Sequence, residues 1–256
     1  MPAFLILAFL FFLGSLVGWG IEVLFRKFFS EGNPTHKWVN PGFLTGPYLP
    51  LYGSGTVILY LIASIESSIK VANPIIAKLL LFLAMAVMMT LIEYIAGIGL
   101  LKLAHLRLWD YSNRRGNIRG LICPLFSLFW AILGAMYYFL IHPHILNALA
   151  WLSNNLAFSF FVGLFYGVFI IDLAQTTHLV VTMRRFAAEK QIVIRYEELK
   201  DRIREHNASN VIRARFLFSF ASDLPLSRHL ADYYEDSQRR LDRIRSAVDA
   251  VKTRRS

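Results

Sequence analysis

Five long apolar stretches separated by short polar connections set the pattern of the chain: 4–25, 48–65, 75–101, 120–141 and 156–183. Each is near or above the roughly 18 to 20 apolar residues needed to cross hydrocarbon. The pattern predicts an all-α membrane protein, with five transmembrane helices over 1–183 and a basic, helical, coiled-coil-like tail over 184–256. The second helix is expected to be broken, because Pro50, Gly53 and Gly55 fall in its first turns. Ahead of them the sequence reads NPGFLTGPYLPLYGSG from Asn40 to Gly55. Backbone that cannot be regular helix is tolerated at membrane depth only where protein or a water-filled cavity satisfies its polar groups. This segment is therefore a candidate site.

Composition agrees, with 56% hydrophobic residues and a mean hydropathy of +0.48. Orientation follows from Lys and Arg, which short cytoplasmic connections retain. Loop one carries Arg26, Lys27 and Lys37, and loop three carries Lys102, Arg107, Arg114, Arg115 and Arg119. Loop two has only Lys70 and Lys78, and loop four, 142–155, has no charged residue. Loops one and three are thus expected in the cytoplasm, with the amino terminus outside and the carboxyl terminus inside. Met1-Pro2-Ala3 lacks the basic start of a secretory signal and Arg26-Lys27 follow the span, so the first helix is expected to be retained.

The net charge is +10, of which the tail, with seventeen basic and eleven acidic residues, supplies six. That placement suits topology and anionic lipid head groups and argues against nucleic acid as a partner. Cys123, the single cysteine, excludes an internal disulfide or a Cys-cluster metal site.

Ionisable groups inside apolar spans are costly and face a bundle interior or a cavity. Three stand out: Glu22, Glu93 and Asp172. Glu22 shares a helical ridge with Gly14, Gly18 and Arg26, which predicts close helix approach and a Glu22–Arg26 pair. Ala86, Thr90, Glu93 and Gly97 make a similar small and polar stripe. At about 1.5 Å rise per residue, Glu22 lies roughly 6 Å from Arg26 and Glu93 roughly 14 Å from Lys102, both in the inner half. These carboxylates either orient the bundle through interhelical hydrogen bonds or bind a solute, a coupling cation or a proton. Asp172, nearer mid-membrane, has Gln175 and Thr176 at i+3 and i+4. His178 is expected to be satisfied or interfacial, and Gly163 with Gly167 to pack helices.

Loop three, RLWDYSNRRGNIRG from Arg107 to Gly120, is dense in directional hydrogen-bonding groups. Arg107, Trp109, Asp110, Tyr111 and Asn117 read either as an interfacial anchor or as a docking surface meeting the loop-one segment. Cys123, Pro124 and Ser127 add an irregular patch, and two breaks on one side favour a cytoplasm-facing vestibule. In the tail, Ile192, Tyr196, Leu199 and Ile203 form one apolar seam, and Leu230, Tyr234, Ser237, Leu241, Ile244, Val248 and Val251 another. They predict an antiparallel hairpin or a seam offered to another subunit. VIRARFLFSFA, 211–221, reads as a membrane-surface segment or as packing beneath the bundle.

No phosphate-cradling Gly-Lys-Ser/Thr loop, His-Glu-x-x-His zinc site or Gly-x-Ser-x-Gly elbow occurs in the sequence. His142-Pro143-His144 is a weak metal cue. No cofactor or metal is called for, and an ATPase, if one drives this chain, is a separate partner.

Taken together, GWGIEVLFR, NPGFLTGPYLPLYGSG, EYIAGIGL, RLWDYS and NIRGLICPLFSLFW resemble the bacterial ABC-transporter permease family of integral membrane proteins, over Trp19 to Trp130. The resemblance implies an integral membrane component with a transport role and marks Glu22, Arg26, Asn40, Pro41, Gly42, Gly46, Tyr48, Tyr52, Gly53, Glu93, Tyr94, Trp109, Asp110, Tyr111, Asn117 and Gly120 as important. The Glu-Ala-Ala docking loop of ABC importer permeases has no counterpart; Ala187-Ala188-Glu189 does not fit it, which leaves loop three or the tail to dock an ATPase.

The sequence thus leads to a permease-like subunit, not itself an enzyme. Its substrate-binding residues would be Glu22, Arg26, Asn40, Gly42, Tyr48, Tyr52, Glu93, Tyr94 and Asp172. Its partners would be the lipid bilayer, a cytoplasmic ATPase and further copies of itself. A membrane scaffold recruiting a partner through the tail is the alternative, and a membrane-embedded lipid-acting enzyme a third.

Overall fold

Pro50, Pro74 and Pro124 each stand in the first turn of a helix, where a missing N–H costs nothing. The computed structural model describes residues 2–30, 33, 36–66, 73–207 and 224–253. Its helices are α1 (Ala3–Phe28), α2 (Pro50–Ser64), α3 (Pro74–Ala104), α4 (Pro124–Asn154), α5 (Ser159–Lys190), α6 (Tyr196–Asn207) and α7 (Leu226–Thr253). Of these, α1, α3, α4 and α5 are long and apolar enough to cross a membrane. α2, at 15 residues, is shorter than the 48–65 span expected, because residues 40–49 remain extended or bent up to Pro50. The surface segment expected at 211–221, and Lys70 of loop two, lie outside the described residues.

The fourth span departs from expectation. It begins at Pro124 rather than Gly120 and runs through 142–155, where a loop was expected, as far as Asn154. Pro143 cannot donate to the helical ladder and would crowd a carbonyl one turn back. A widened π turn at Tyr137–Ile141 relieves this and leaves Pro143 in the first turn of the resumed helix.

Lipid tails give helices no hydrophobic reason to associate, so contact depends on close packing. α1 and α2 achieve it by removing side chains from each other's path. A Cβ on Gly14 would fall 2.2 Å from Thr56 Oγ1, one on Gly18 2.2 Å from Tyr52 Cβ, and one on Gly53 2.2 Å from Ser15 Oγ. Leu10, Leu81, Met85 and Leu152, all essentially inaccessible, continue this core into α3 and α4. Gly163 and Gly167 of α5, expected to pack a helix, face nothing within 4 Å among the described residues.

A second core lies at the end of the bundle that carries Lys102. α3 and α5 both end on non-glycine left-handed residues, His105 (φ 54°) and Gln191 (φ 53°). These turn the chain out at one level, so that β1 (Leu106–Arg107) and β2 (Ile194–Arg195) lie side by side and pair in parallel, an addition to the all-α expectation. Ala104, Leu106, Met183 and Ala187 there enclose Ile194, Leu199 and Ile203 with Leu230 and Tyr233. Outside hydrocarbon each Leu, Ile or Met among them contributes roughly 1.5–3 kcal/mol. Of the first tail seam, Leu199 and Ile203 are buried in this core, Ile192 packs against it and Tyr196 is buried beside Phe43. The second divides: Leu230 is buried, while Leu241 and Ile244 are 51% and 60% exposed.

Candidate functional site

The segment after Val39 enters the bundle without helical structure, and its hydrogen bonds show how. Asn40 Oδ1 accepts from the Trp19 indole at 2.9 Å and from the Gly42 N–H at 3.1 Å. Its Nδ2 donates to the carbonyls of Leu44 (3.4 Å) and Thr45 (3.3 Å). One buried amide thus folds the Asn-Pro-Gly turn and holds it against α1. A Cβ on Gly42 would press on the Leu44 carbonyl at 3.0 Å.

The next residues are held by Asp172 of α5. Its Oδ1 accepts from the Thr45 N–H (3.2 Å), the Thr45 hydroxyl and Thr176 Oγ1 (3.3 Å). Its Oδ2 accepts from the Gly46 N–H (2.8 Å) and Tyr48 Oη (2.6 Å). The Leu49 N–H then donates to Ser15 O at 3.0 Å, where α2 starts. Backbone groups of Gly42, Leu44, Thr45, Gly46 and Leu49 are thus satisfied by protein groups, one of the two solutions a membrane interior permits. Thr176 shares the buried face of Asp172, whereas Gln175 and His178 are exposed.

Glu22 and Glu93 lie in one run of contacts. Glu22 Oε1 accepts from Arg26 Nε at 3.0 Å, the expected i,i+4 pair, and Oε2 accepts from Tyr52 Oη at 2.8 Å. The Tyr52 ring lies 5.8 Å from that of Trp130. Trp130 Nε1 donates to Glu93 Oε2 at 2.9 Å, and Tyr111 Oη donates to Glu93 Oε1 at 3.0 Å. α1, α2, α3, α4 and loop three each supply a member. Thr90 and Ser127, one turn away, join α3 to α4 at 3.0 Å. Tyr94 is half-buried next to Glu93.

Loop three is shaped to deliver Tyr111. Asp110 Oδ1 accepts from Arg107 Nη1 (2.7 Å), from the Ser112 N–H (3.0 Å) and from the Ser112 hydroxyl. Burial opposes ionisation of Asp110, but the Ser112 donors and the Arg107 guanidinium prevail and hold its carboxyl below the usual range. Asn117 closes the far side, donating to Ser112 O and Arg114 O and accepting from the Gly120 N–H. Gly120 has a φ of +68°, and a Cβ there would lie 2.5 Å from Ser112 Oγ, so only glycine fits without strain. Trp109 bonds Leu121 O at 2.8 Å beside Gly97, and Tyr111 stacks on Phe126 with centroids 4.3 Å apart.

The tail reaches this assembly through residues that its sequence offered only as seam or charge. Glu197 Oε1 lies 2.9 Å from Arg26 Nη1. Tyr196 Oη donates to Gly42 O at 3.4 Å, with its ring 4.9 Å from that of Phe43. Lys200, with no exposed surface, donates to Asn40 O. Burial, aided by Arg26 and Arg204 and opposed by Glu197, pushes its ammonium pKa down to about 8. Arg195 meets Asp110 Oδ2 at 3.4 Å, linking the tail to loop three as well. Trp19, Thr45, Trp130, Glu197 and Lys200 were not singled out from sequence. Trp19, Thr45 and Trp130 fall inside the quoted motifs, but an alternating charge run gave no cue that Lys200 would be interior.

Four long apolar helices around protein-bonded polar groups define a multi-pass integral membrane protein. The chain belongs to the family described as Putative ABC-transporter type IV, whose model matches residues 9–177. The match passes beyond Trp130 to take in Asp172 and stops short of α6 and α7. No curated protein and no solved structure shows a significant match to the chain.

Proposed function

We propose that the chain is the membrane subunit of an ABC-type transporter that moves a small cationic or hydrogen-bonding solute across the bacterial cytoplasmic membrane. The observation that carries this reading is the continuous run Glu22–Tyr52–Trp130–Glu93–Tyr111, two carboxylates joined through aromatic and hydroxyl groups at membrane depth. Intramembrane carboxylates facing a bundle interior are the groups that bind cations or relay protons. Glu22, Arg26, Tyr52, Glu93 and Tyr94 make the solute-facing set. Asn40, Gly42, Tyr48 and Asp172 hold the broken segment beside it, in the manner of discontinuous transporter helices.

Residues 40–49 and α2 together form the second of five crossings. α2 starts level with Ser15, roughly 16 Å along α1 from Arg26, and continues away from the Arg26 end. That end, with Lys102, loop three and the tail, is the cytoplasmic one, and the amino terminus lies outside. The chain supplies no ATP-binding motif, so a separate ATPase docks on loop three or the tail.

Purification from native membranes, followed by mass spectrometry of proteins and retained small molecules, tests the partner and names the solute. Flux of that solute in reconstituted vesicles should fall at least tenfold in Glu22→Gln and in Glu93→Gln. Unchanged flux in both variants would remove these residues from the path. A scaffold role draws support from Leu241 and Ile244, exposed on α7. It predicts that a partner protein co-purifies, that its capture is lost on deleting 184–256, and that no solute is retained.

A further inference from the structure

α6 presents three successive grips to the bundle from one turn of helix. Tyr196 and Lys200 hold backbone carbonyls of the Asn40–Gly42 turn, and Glu197 holds Arg26. All three land on the polar assembly rather than on lipid-facing surface. Arg26 is divided as a result, with Nε on Glu22 and Nη1 on Glu197. Leu199 and Ile203 seat α6 in the second core, but its grip on the broken segment is chemically unlike a permanent one. An apolar side chain at 200 would seat α6 with no charge to desolvate, whereas a buried ammonium and an ion pair add little net stability for their burial. α6 follows the left-handed Gln191 and a two-residue strand pair. Its other side holds α7 through Arg202–Asp236 at 2.6 Å, and α7 carries the exposed Leu241 and Ile244 outward.

We propose that α6 is a releasable latch on the broken segment: seated, it fixes the Asn40–Gly42 turn and shares Arg26 between Glu197 and Glu22; lifted through α7, it frees the turn and returns Arg26 wholly to Glu22. The latch gates the solute-facing set, a consequence that rests on the transport reading above. The lifted state is the one in which Glu22 is most fully neutralised, so a bound cation is released as α6 leaves.

Amide hydrogen exchange on the full-length protein in detergent reads the latch without any solute. In a Glu197→Gln, Lys200→Ala variant, exchange over residues 40–48 should rise at least tenfold, with α1 and α3 unchanged. A disulfide between Phe43→Cys and Tyr196→Cys, added to that variant, should restore protection when oxidised and lose it when reduced. Unaltered exchange at 40–48, or an equal rise in every helix, would overturn the proposal, as would a cross-link without effect. Exchange that follows the latch while purified vesicles move no solute would leave the latch standing and remove the transport reading.

Discussion

Tyr48 Oη donates to Asp172 Oδ2 at 2.6 Å, tying together residues 124 positions apart in the chain. The contact is one of a set that makes Asp172 the anchor of an unwound segment. It explains how a carboxylate is retained in an apolar span, because each hydrogen bond it accepts offsets part of the cost of burying it.

Asp172→Asn should lower stability by about 3 kcal/mol. The amide nitrogen must replace one oxygen, and it then opposes either the Thr45 or the Gly46 backbone N–H, neither of which can turn away. Tyr48→Phe removes one donor and leaves the rest, so a loss of about 1 kcal/mol is expected. Thermal unfolding of the detergent-purified variants should rank them in that order; an Asp172→Asn protein as stable as the parent would show that the segment is not held there.

Gly18→Ala should disrupt the α1–α2 contact. Its Cβ would meet Tyr52 Cβ at 2.2 Å, and a Cβ, unlike a side-chain tip, cannot swing aside. Moving the helices apart also lengthens the Tyr52–Glu22 hydrogen bond, and a loss of about 2 kcal/mol or more follows from overpacking. Gly163→Ala places its methyl in open space and should leave the isolated protein unchanged. Parallel melting curves and the yield of monodisperse protein check the pair, and equal behaviour would contradict the packing assigned to Gly18.

The residues that sequence exposed were those that violate a local rule. Glu22, Glu93 and Asp172 break apolar runs, and Asn40–Gly55 breaks a helix, so hydrocarbon physics alone marks them. Their partners are another matter. The i,i+4 spacing gave Glu22–Arg26, but nothing local links Asp172 to Thr45 or Lys200 to Asn40, because those contacts depend on where α5 and α6 come to lie. The fourth span was misjudged for a similar reason. Pro143 argues for a break on propensity, and only the π turn ahead of it reconciles the proline with a continuing helix. The tail seams were visible as periodicity, yet periodicity does not say that the first would face the bundle as well as another helix of the tail.

Lys200 should give the protein a distinctive alkaline stability profile. Its pKa in the folded state is about 8, against the ordinary 10.5 of an exposed lysine. Below pH 8 the group is protonated in both folded and unfolded chains, and the cost of burying the ammonium is fully present. Between pH 8 and 10.5 the unfolded chain binds more protons than the folded one, so stability rises with pH; above that range both forms are neutral and the rise ends. A depression of this size corresponds to about 3 kcal/mol. The groups facing Lys200 are Arg26 from α1 and Glu197, Asp201 and Arg204 from its own helix, with the Asn40 carbonyl from the broken segment. Lys200→Met keeps the length of the side chain and removes its titration, while the other ionisable groups remain in both proteins. The difference in unfolding free energy between parent and Lys200→Met should therefore shift in favour of the parent by about 3 kcal/mol between pH 7.5 and 10.5. Chemical unfolding followed at several pH values in one detergent reads that shift directly, and a flat difference would mean that the Lys200 ammonium is not buried against the Asn40 carbonyl.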